Sequence, residues 1–395
     1  MLEEKIKNLF PTFDKEHELI IRKEIEGYKI FESRIEAHSE RLAFYALIDA
    51  AQGVKEVEQK EILTERGVHV DMGRKYFSKK WFYKLIEMMA RKKLNRLQIH
   101  ISENEGFRLK LPGYESLCSN QALSYQDMQD IIQYASKYYI EVIPSFDTPG
   151  HLKHILKSYP QYRLKNSESA LDITNPKARL FIKGLLSSVM DCFKDSKVVH
   201  IGGDEFIPFD QYEFYPDLET YAKSEIDKDA TGSDVYIDYI NDIGKFVMQY
   251  NKIPRIWNDG MYRLDQKSHV SLNADIQITY WTSWHEGMAP LHSFITHNHD
   301  VLNFMDENLY FVLGECAGYS YPNVDKMQNN FNPYRFPNRH KNTDSSREQW
   351  IEINHKQYLG SYFSIWCDDP EAMSELEVNE AIEPLLKIFG GKLWE

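Results

Sequence analysis

The sequence predicts a (β/α)8 TIM barrel with a small N-terminal α/β appendage, on three observations. From Gly67 onward, short apolar runs of strand character recur eight times. Amphipathic stretches, several opened by helix-capping residues, separate most of them. The chain has 395 residues, and a barrel of this kind takes about 250, which leaves room for an appendage. Strands alternating with helices make a parallel sheet, and eight repeats favour a closed barrel over an open sheet. The expected division is an appendage over residues 1–62 and a barrel over 63–395.

In the appendage, Leu19-Ile20-Ile21 and Tyr28-Lys29-Ile30-Phe31 read as short strands. Ser39 to Ala51 reads as a helix, with Leu42, Tyr45 and Ile48 near one face. The segment is too small for a core of its own, so it is expected to pack on the barrel. The barrel strands are expected at Gly67–Met72, Arg96–Ile101, Ile140–Phe146, Lys197–Gly202, Arg255–Asn258, Ile276–Trp281, Val301–Phe304 and Ser361–Trp366. Ser78 is placed to cap a helix over Lys79–Lys92, and Ser124 one over Tyr125–Tyr138. Asn175-Pro176 opens Lys177–Phe193, with proline at a first-turn position. Asp234 is the expected cap of Val235–Tyr250. The stretch from Gly314 to Tyr358 shows no periodicity and reads as a long loop of functional length.

Composition narrows the function classes. A formal charge of −13 argues against general nucleic-acid binding and against anionic membranes, both of which attract basic faces. No run of about 20 apolar residues suits a membrane span. The four cysteines, Cys118, Cys192, Cys316 and Cys367, are scattered, with neither disulfide-framework nor zinc spacing. The beginning Met1-Leu2-Glu3-Glu4-Lys5 lacks a signal-peptide pattern, so a cytoplasmic location is expected. Aromatic residues make up 13% of the chain, with 25 Tyr and 7 Trp. Flat apolar faces with polar handles suit sugar rings, although large cores use them too.

Barrel enzymes build their sites at the C-terminal ends of the strands, and there the chain concentrates acids and aromatics. The fourth strand runs through His200-Ile201-Gly202-Gly203 into Asp204-Glu205. The third ends in Asp147-Thr148-Pro149-Gly150-His151, the fifth in Trp257-Asn258-Asp259-Gly260 and the sixth in Tyr280-Trp281. Asn308-Leu309-Tyr310 follows the seventh, and Trp366-Cys367-Asp368-Asp369 ends the eighth. Acids with aromatic platforms fit glycoside hydrolysis. The usual mechanism needs two carboxylates on opposite sides of the scissile bond, about 5–9 Å apart. Asp204 and Glu205 are neighbours whose Cα atoms lie about 3.8 Å apart and whose side chains diverge on extended backbone. They suit a different division of labour. Glu205 protonates the leaving oxygen, while Asp204 orients a nucleophile that belongs to the substrate, such as a 2-acetamido carbonyl.

On six motifs the chain resembles the family 20 glycoside hydrolases, the β-N-acetylhexosaminidases. They are Arg66-Gly67-x-x-x-Asp71-x-x-Arg74, Asp147-Thr148-Pro149-Gly150-His151, His200-Ile201-Gly202-Gly203-Asp204-Glu205, Trp257-Asn258-Asp259-Gly260, Thr279-Tyr280-Trp281 and Ser364-Ile365-Trp366. They keep the family's order over residues 66 to 370. The resemblance implies that Glu205 acts as general acid and then base. It implies that Asp204 accepts the acetamido N–H and stabilises an oxazolinium intermediate, and that Tyr310 donates to the acetamido oxygen. Trp257, Trp281 and Trp366 would wall the pocket, Arg66 or Arg74 would bind O3 and O4, and Asp368 would bind O4 or O6. Asp259 is a further candidate for substrate binding. Asp147, His151 and His200 would stand behind the first layer. The implied substrate is an oligosaccharide ending in β-linked GlcNAc or GalNAc, with no cofactor and no metal, and the chain is expected as a monomer or homodimer.

The chain departs from the family pattern at Gln98-Ile99-His100-Ile101-Ser102-Glu103-Asn104-Glu105, where relatives carry Trp and paired Asp. It departs again at Cys367-Asp368, where a glutamate is usual. Both changes bear on linkage and chain length. An alternative within the resemblance is a hydrolase of poly-β-1,6-N-acetylglucosamine. From other classes come a metal-dependent barrel hydrolase, with His69, Asp71, His100, Asp147, His151, His200 and Asp204 as ligands on paper, and a non-catalytic carbohydrate-binding barrel. Intact Asp204, Glu205 and Tyr310 weigh against the last.

Overall fold

The computed structural model describes residues 2–14, 16–209, 211–337 and 348–394. A helix over Leu2–Leu9 precedes a four-stranded sheet of β1 (Glu18–Ile21), β2 (Tyr28–Phe31), β3 (Arg34–Ala37) and β4 (Glu56–Gln59) in the order β1-β3-β2-β4. Strands β3 and β4 leave little trace in the sequence because each is four residues long, β3 alternating charged with apolar residues and β4 holding a single apolar residue, Val57. The helix Glu40–Ala51 is capped by Ser39, whose Oγ accepts from Leu42 N at 3.3 Å. It is buried on nearly every side. It packs on its own sheet and turns Phe44 toward Tyr138 and Tyr139 of the barrel, with ring centroids 6.2 and 5.5 Å apart.

The barrel is closed. Strands β5 (Glu65–Asp71), β6 (Arg96–His100), β7 (Glu141–Thr148), β8 (Val198–Gly202), β9 (Ile253–Trp257), β10 (Gln277–Tyr280) and β11 (Val301–Asn303) pair in sequence, all parallel. After β12 (Tyr310–Val312) and a two-stranded pair of β13 (Arg335–Phe336) and β14 (Gln349–Trp350), β15 (Tyr358–Trp366) closes the ring against both β11 and β5. All eight expected barrel strands are present, with ends shifted by at most a few residues. The seventh position is split. β11 covers the lower half of β15, from Tyr358 to Ser361, and β12 covers its upper half, from Ser364 to Trp366.

The expected helices form over Lys79–Arg91, Tyr125–Lys137 and Pro176–Cys192, with Ser78, Ser124 and Asn175 as their caps. One cap differs. The helix over Gly232–Met248 starts earlier, with Thr231 at the cap, and Asp234 sits three residues inside, where its carboxylate accepts from Thr231 N at 2.9 Å. The two form a reciprocal capping box. The stretch from Gly314 to Tyr358 is not structureless: it holds a helix over Val324–Asn330 as well as β13 and β14. Residues 338–347 of that stretch lie outside the described ones. Among the described residues no helix is long and apolar enough to cross a membrane.

The barrel interior is layered. Glu65, Arg255, Gln277 and Tyr362 form a buried polar layer at the N-terminal end, with Arg255 Nη2 2.9 Å from Glu65 Oε1. Gly67 makes room for it, since a Cβ there would lie 2.2 Å from the Tyr362 ring. His69, Trp257 and Trp366 sit above, with the His69 and Trp366 ring centroids 4.5 Å apart and those of Trp257 and Trp366 6.0 Å apart. At the C-terminal end the strands open into a carboxylate-rich pocket.

Candidate active site

A cavity of about 300 Å³ opens at the C-terminal face of the barrel. Its wall includes Asp204, Glu205, Tyr310, Trp257, Trp281, Trp366, Arg74, His151 and Asp368. Each strand delivers its share. β8 ends in Gly202, and Gly203 follows it; their φ values of +72° and +91° turn the chain sharply and leave Asp204 over the barrel mouth. A Cβ on Gly202 would lie 2.7 Å from Asp147 Cα, so only glycine lets β7 approach this closely. Glu205 itself holds φ at +44°, a region non-glycine residues rarely occupy. Its N–H donates to Asp259 Oδ2 at 3.0 Å, which pins the turn.

Tyr310 arrives by the split of the seventh strand. The short helix Asp306–Leu309 shifts the chain from β11 to β12, whose pairing with the top of β15 sets Tyr310 beside Trp366, with ring centroids 5.8 Å apart. Trp281 lies parallel to Tyr310 at 6.0 Å. Trp257 is the floor. His200 supports it from below at 4.6 Å, and His200 is fixed by accepting from Gly202 N at 3.1 Å and donating from Nε2 to Thr279 Oγ1 at 2.8 Å. Burial holds the His200 pKa well below the ordinary imidazole value, so it stays neutral.

His151 is the electrostatic hub. Its Nδ1 lies 3.0 Å from Glu103 Oε2, and its Nε2 lies 3.4 Å from Asp204 Oδ2 and 3.5 Å from Glu205 Oε2. Burial alone would lower its pKa, but Glu103 and Asp204 outweigh burial and hold it well above the usual value. His151 is therefore the cation among these acids. The hydrogen bond from His151 lowers the Glu205 pKa, against the expectation that a general acid is raised. The charge of His151 adds to that hydrogen bond, and together they outweigh burial, which acts in the opposite sense. The Glu205 side chain is 58% exposed and faces an imidazolium. Asp204 carries the raised value instead, because burial and then the charge of Asp147 disfavour its ionised form. Asp147, buried behind His151 and 3.4 Å from His100 Nε2, is pushed up to about 6 by burial.

Arg74 forms the opposite wall. It pairs with Asp71 at 2.9 Å, Glu103 at 2.8 Å and Glu105 at 3.3 Å, and its guanidinium lies 5.7 Å from the Trp366 ring centroid. Asp368 completes that side, its pKa raised by burial. His100, Glu103 and Asp147, and likewise Asp147, His151 and Asp204, bring potential metal-ligand atoms within 4.8 Å of one another. Either trio has donors for a cation, and His151 already supplies positive charge to both Glu103 and Asp204.

Two expected sugar ligands lie elsewhere. Arg66 is fully buried at the N-terminal end of β5, away from the pocket. It pairs with Glu61 at 2.8 Å, donates to Leu63 O and Lys93 O, and lies over Trp394 at 4.6 Å. It joins the appendage to the barrel. The reason is position, since Arg66 lies next to the start of the strand whose far end carries Asp71. Asp259 is 5% exposed, and both its oxygens are engaged, one by Glu205 N and the other by Trp281 Nε1 at 3.0 Å. It positions two pocket residues without facing the cavity, and burial pushes its pKa up to about 6. The pocket also gains Glu103, Trp284 and Tyr319, which the sequence reading did not assign. Glu103 was within reach of the strand-end rule, and Trp284 follows Trp281 by three residues. Tyr319, bonded to Asp306 Oδ2 at 3.0 Å, comes from the aperiodic stretch and had no signal.

The family model described as glycosyl hydrolase family 20, catalytic domain, matches residues 64–394. The chain is 29% identical over 338 residues to a lacto-N-biosidase of Bifidobacterium bifidum, covering 84% of this chain and 28% of that protein. It spans 27% to 41% of the length of three further curated β-hexosaminidases. Among solved structures, a β-N-acetylhexosaminidase from Bacteroides fragilis shares the fold with a TM-score of 0.77 at 22% identity, over 95% of this chain and 79% of that one. Dispersin B does so with a TM-score of 0.67 at 22% identity, over 83% of this chain and 99% of that one. With the family's catalytic-domain model spanning the whole barrel, the chain belongs to glycosyl hydrolase family 20.

Proposed function

We propose that this protein is an exo-acting β-N-acetylhexosaminidase that works by retention with help from its substrate. One observation carries the reading: Asp204, Glu205 and Tyr310 share a single cavity walled by Trp257, Trp281 and Trp366. Its volume of about 300 Å³ has room for one acetamido sugar, which favours action at a chain end. In this reading Glu205 gives its proton to the glycosidic oxygen as the bond to the anomeric carbon breaks. The 2-acetamido carbonyl oxygen closes on that carbon, forming an oxazolinium ring. Tyr310 donates to the acetamido oxygen, and Asp204 accepts the N–H and faces the positive charge. Water then opens the ring, with Glu205 taking its proton.

The directions of the Glu205 and Asp204 pKa shifts fit these roles once substrate is bound. A sugar in the pocket covers the exposed Glu205 carboxylate and draws it from His151, and both effects raise its pKa toward that of a working acid. The positive charge that forms beside Asp204 favours its ionised form. Arg74 and Asp368 are the residues proposed to read the sugar's outer hydroxyls.

The test is stereochemical and mechanistic together. Proton NMR of a reaction run on a β-GlcNAc glycoside is expected to show the β-anomer first. The thiazoline analogue of the oxazolinium ion is expected to compete far more tightly than GlcNAc, as transition-state-like compounds do. First formation of the α-anomer would remove the double-displacement path.

A further inference from the structure

Asp147 lies behind the pocket, 1% exposed, and among the described residues neither of its carboxylate oxygens has a hydrogen-bond partner. His100 Nε2 approaches Oδ2 at 3.4 Å. A buried carboxylate is costly unless it is paired or binds a metal. One Asp147 oxygen lies within 4.8 Å of donor atoms of both His151 and Asp204. His151 is directed at the same gap. Its Nε2 stands 3.4 Å from Asp204 Oδ2 and 3.5 Å from Glu205 Oε2, while Glu103 Oε2 holds its Nδ1 at 3.0 Å. Metal-binding histidines are arranged in this way, with a carboxylate fixing one ring nitrogen and the other turned to the ion.

The donor set and its spacing select the ion. Tetrahedral zinc with bonds of about 2.0–2.2 Å leaves neighbouring donors about 3.4 Å apart. The contacts of His151 Nε2 with Asp204 and Glu205 already have that spacing, and Asp147 completes the set by moving inward. Three carboxylates and a neutral imidazole bring three negative charges to a doubly charged cation. One nitrogen among oxygens suits zinc better than magnesium or calcium, which take oxygen shells. The neighbouring trio of His100, Glu103 and Asp147 fits less well. Glu103 is 2% exposed and is already bonded by Arg74 at 2.8 Å, His151 at 3.0 Å and Asn104 N at 2.7 Å. Glu205, in contrast, faces the sugar pocket and gives an ion a way in.

We propose that His151, Asp204 and Glu205, with Asp147, form an inhibitory zinc site. Zinc takes the place of the proton on His151 Nε2, which leaves to solvent, and occupies the carboxylates that would hold and protonate the sugar. The inhibition rests on the proposed roles of Asp204 and Glu205, and the binding does not. Zinc chloride is titrated by calorimetry into the intact protein, and hydrolysis of p-nitrophenyl β-GlcNAc is followed at rising zinc. The expected result is saturable binding of one zinc per chain, with a KM that rises at unchanged kcat and returns on adding EDTA. Asp147→Asn and Asp204→Asn keep the shape and each remove a charged ligand. Each is expected to weaken zinc binding about tenfold or more, read by calorimetry, and two variants keep the test standing if one fails to fold. No saturable binding below about 1 mM zinc would overturn the proposal. So would binding unchanged in both variants, or bound zinc that leaves the KM of the active enzyme where it was. If zinc binds as expected but the zinc-free protein does not cleave the glycoside, the proposed activity fails and the zinc site stands.

Discussion

Glu205 sits in strained backbone between a buried carboxylate and an imidazolium, and its chemistry depends on all three. Glu205→Gln keeps the shape and removes the proton. Its kcat on an alkyl β-GlcNAc glycoside is expected to fall by about a hundredfold or more, with a small change in KM. The loss should be far smaller on a 2,4-dinitrophenyl glycoside, whose leaving group needs no proton. An equal loss on both would take Glu205 out of the acid role. Asp147 offers a pH test. Its charge is a cause of the raised Asp204 pKa, after burial. Asp147→Asn removes that charge, so Asp204 should ionise at lower pH, and the acid limb of kcat/KM should move down the pH scale. A limb that stays put or moves up would show that Asp147 does not set the Asp204 charge. Tyr310→Phe removes one proposed donor to the acetamido oxygen and is expected to lower kcat/KM about tenfold to a hundredfold, the worth of a hydrogen bond to a charged group.

The elements show why some residues were legible in the sequence and others were not. Short apolar runs ending in acids and tryptophans marked the barrel strands, because a strand buried on both faces leaves a continuous apolar signature. The rule that barrel sites lie at strand C-termini then found Asp204, His151, Trp257, Trp281 and Trp366 at the pocket. Applied to Arg66, which lies at the start of β5 rather than its end, the same rule excludes it. The resemblance to the family suggested it as a ligand, and position in the strand overrides the motif. Asp259 sat at the correct end but was turned inward by two hydrogen bonds that a turn-like Asn-Asp-Gly does not announce. The split of the seventh strand into β11 and β12, on which Tyr310 depends, is a pairing fact, and pairing partners leave no local trace in sequence. Arg66→Met tests the correction. Breaking a buried ion pair costs about 3 kcal/mol or more, so the melting temperature is expected to drop by several degrees. Turnover per folded molecule should be retained within about twofold. A large loss of kcat/KM at unchanged stability would return Arg66 to the sugar.

At the scale of the whole molecule, the appendage and the barrel share one hydrophobic core. Trp394, near the end of the chain, packs against Tyr28 and Tyr45 of the appendage, with ring centroids 6.0 and 5.7 Å apart, and under Arg66 and Lys93 of the barrel. The site in turn depends on the closed barrel, since the pocket takes residues from strand ends on all sides of its mouth. A sequence can display those residues, but their convergence needs closure, and their charge states need the distances that closure sets. The claim that joins these scales is that the nucleophile belongs to the substrate. The most direct measurement is release of p-nitrophenol from the β-GlcNAc glycoside beside the β-glucoside, with EDTA present throughout. The account predicts cleavage of the acetamido sugar alone, undiminished by the chelator. Equal cleavage of both sugars would mean that a protein carboxylate attacks the anomeric carbon, and would contradict it.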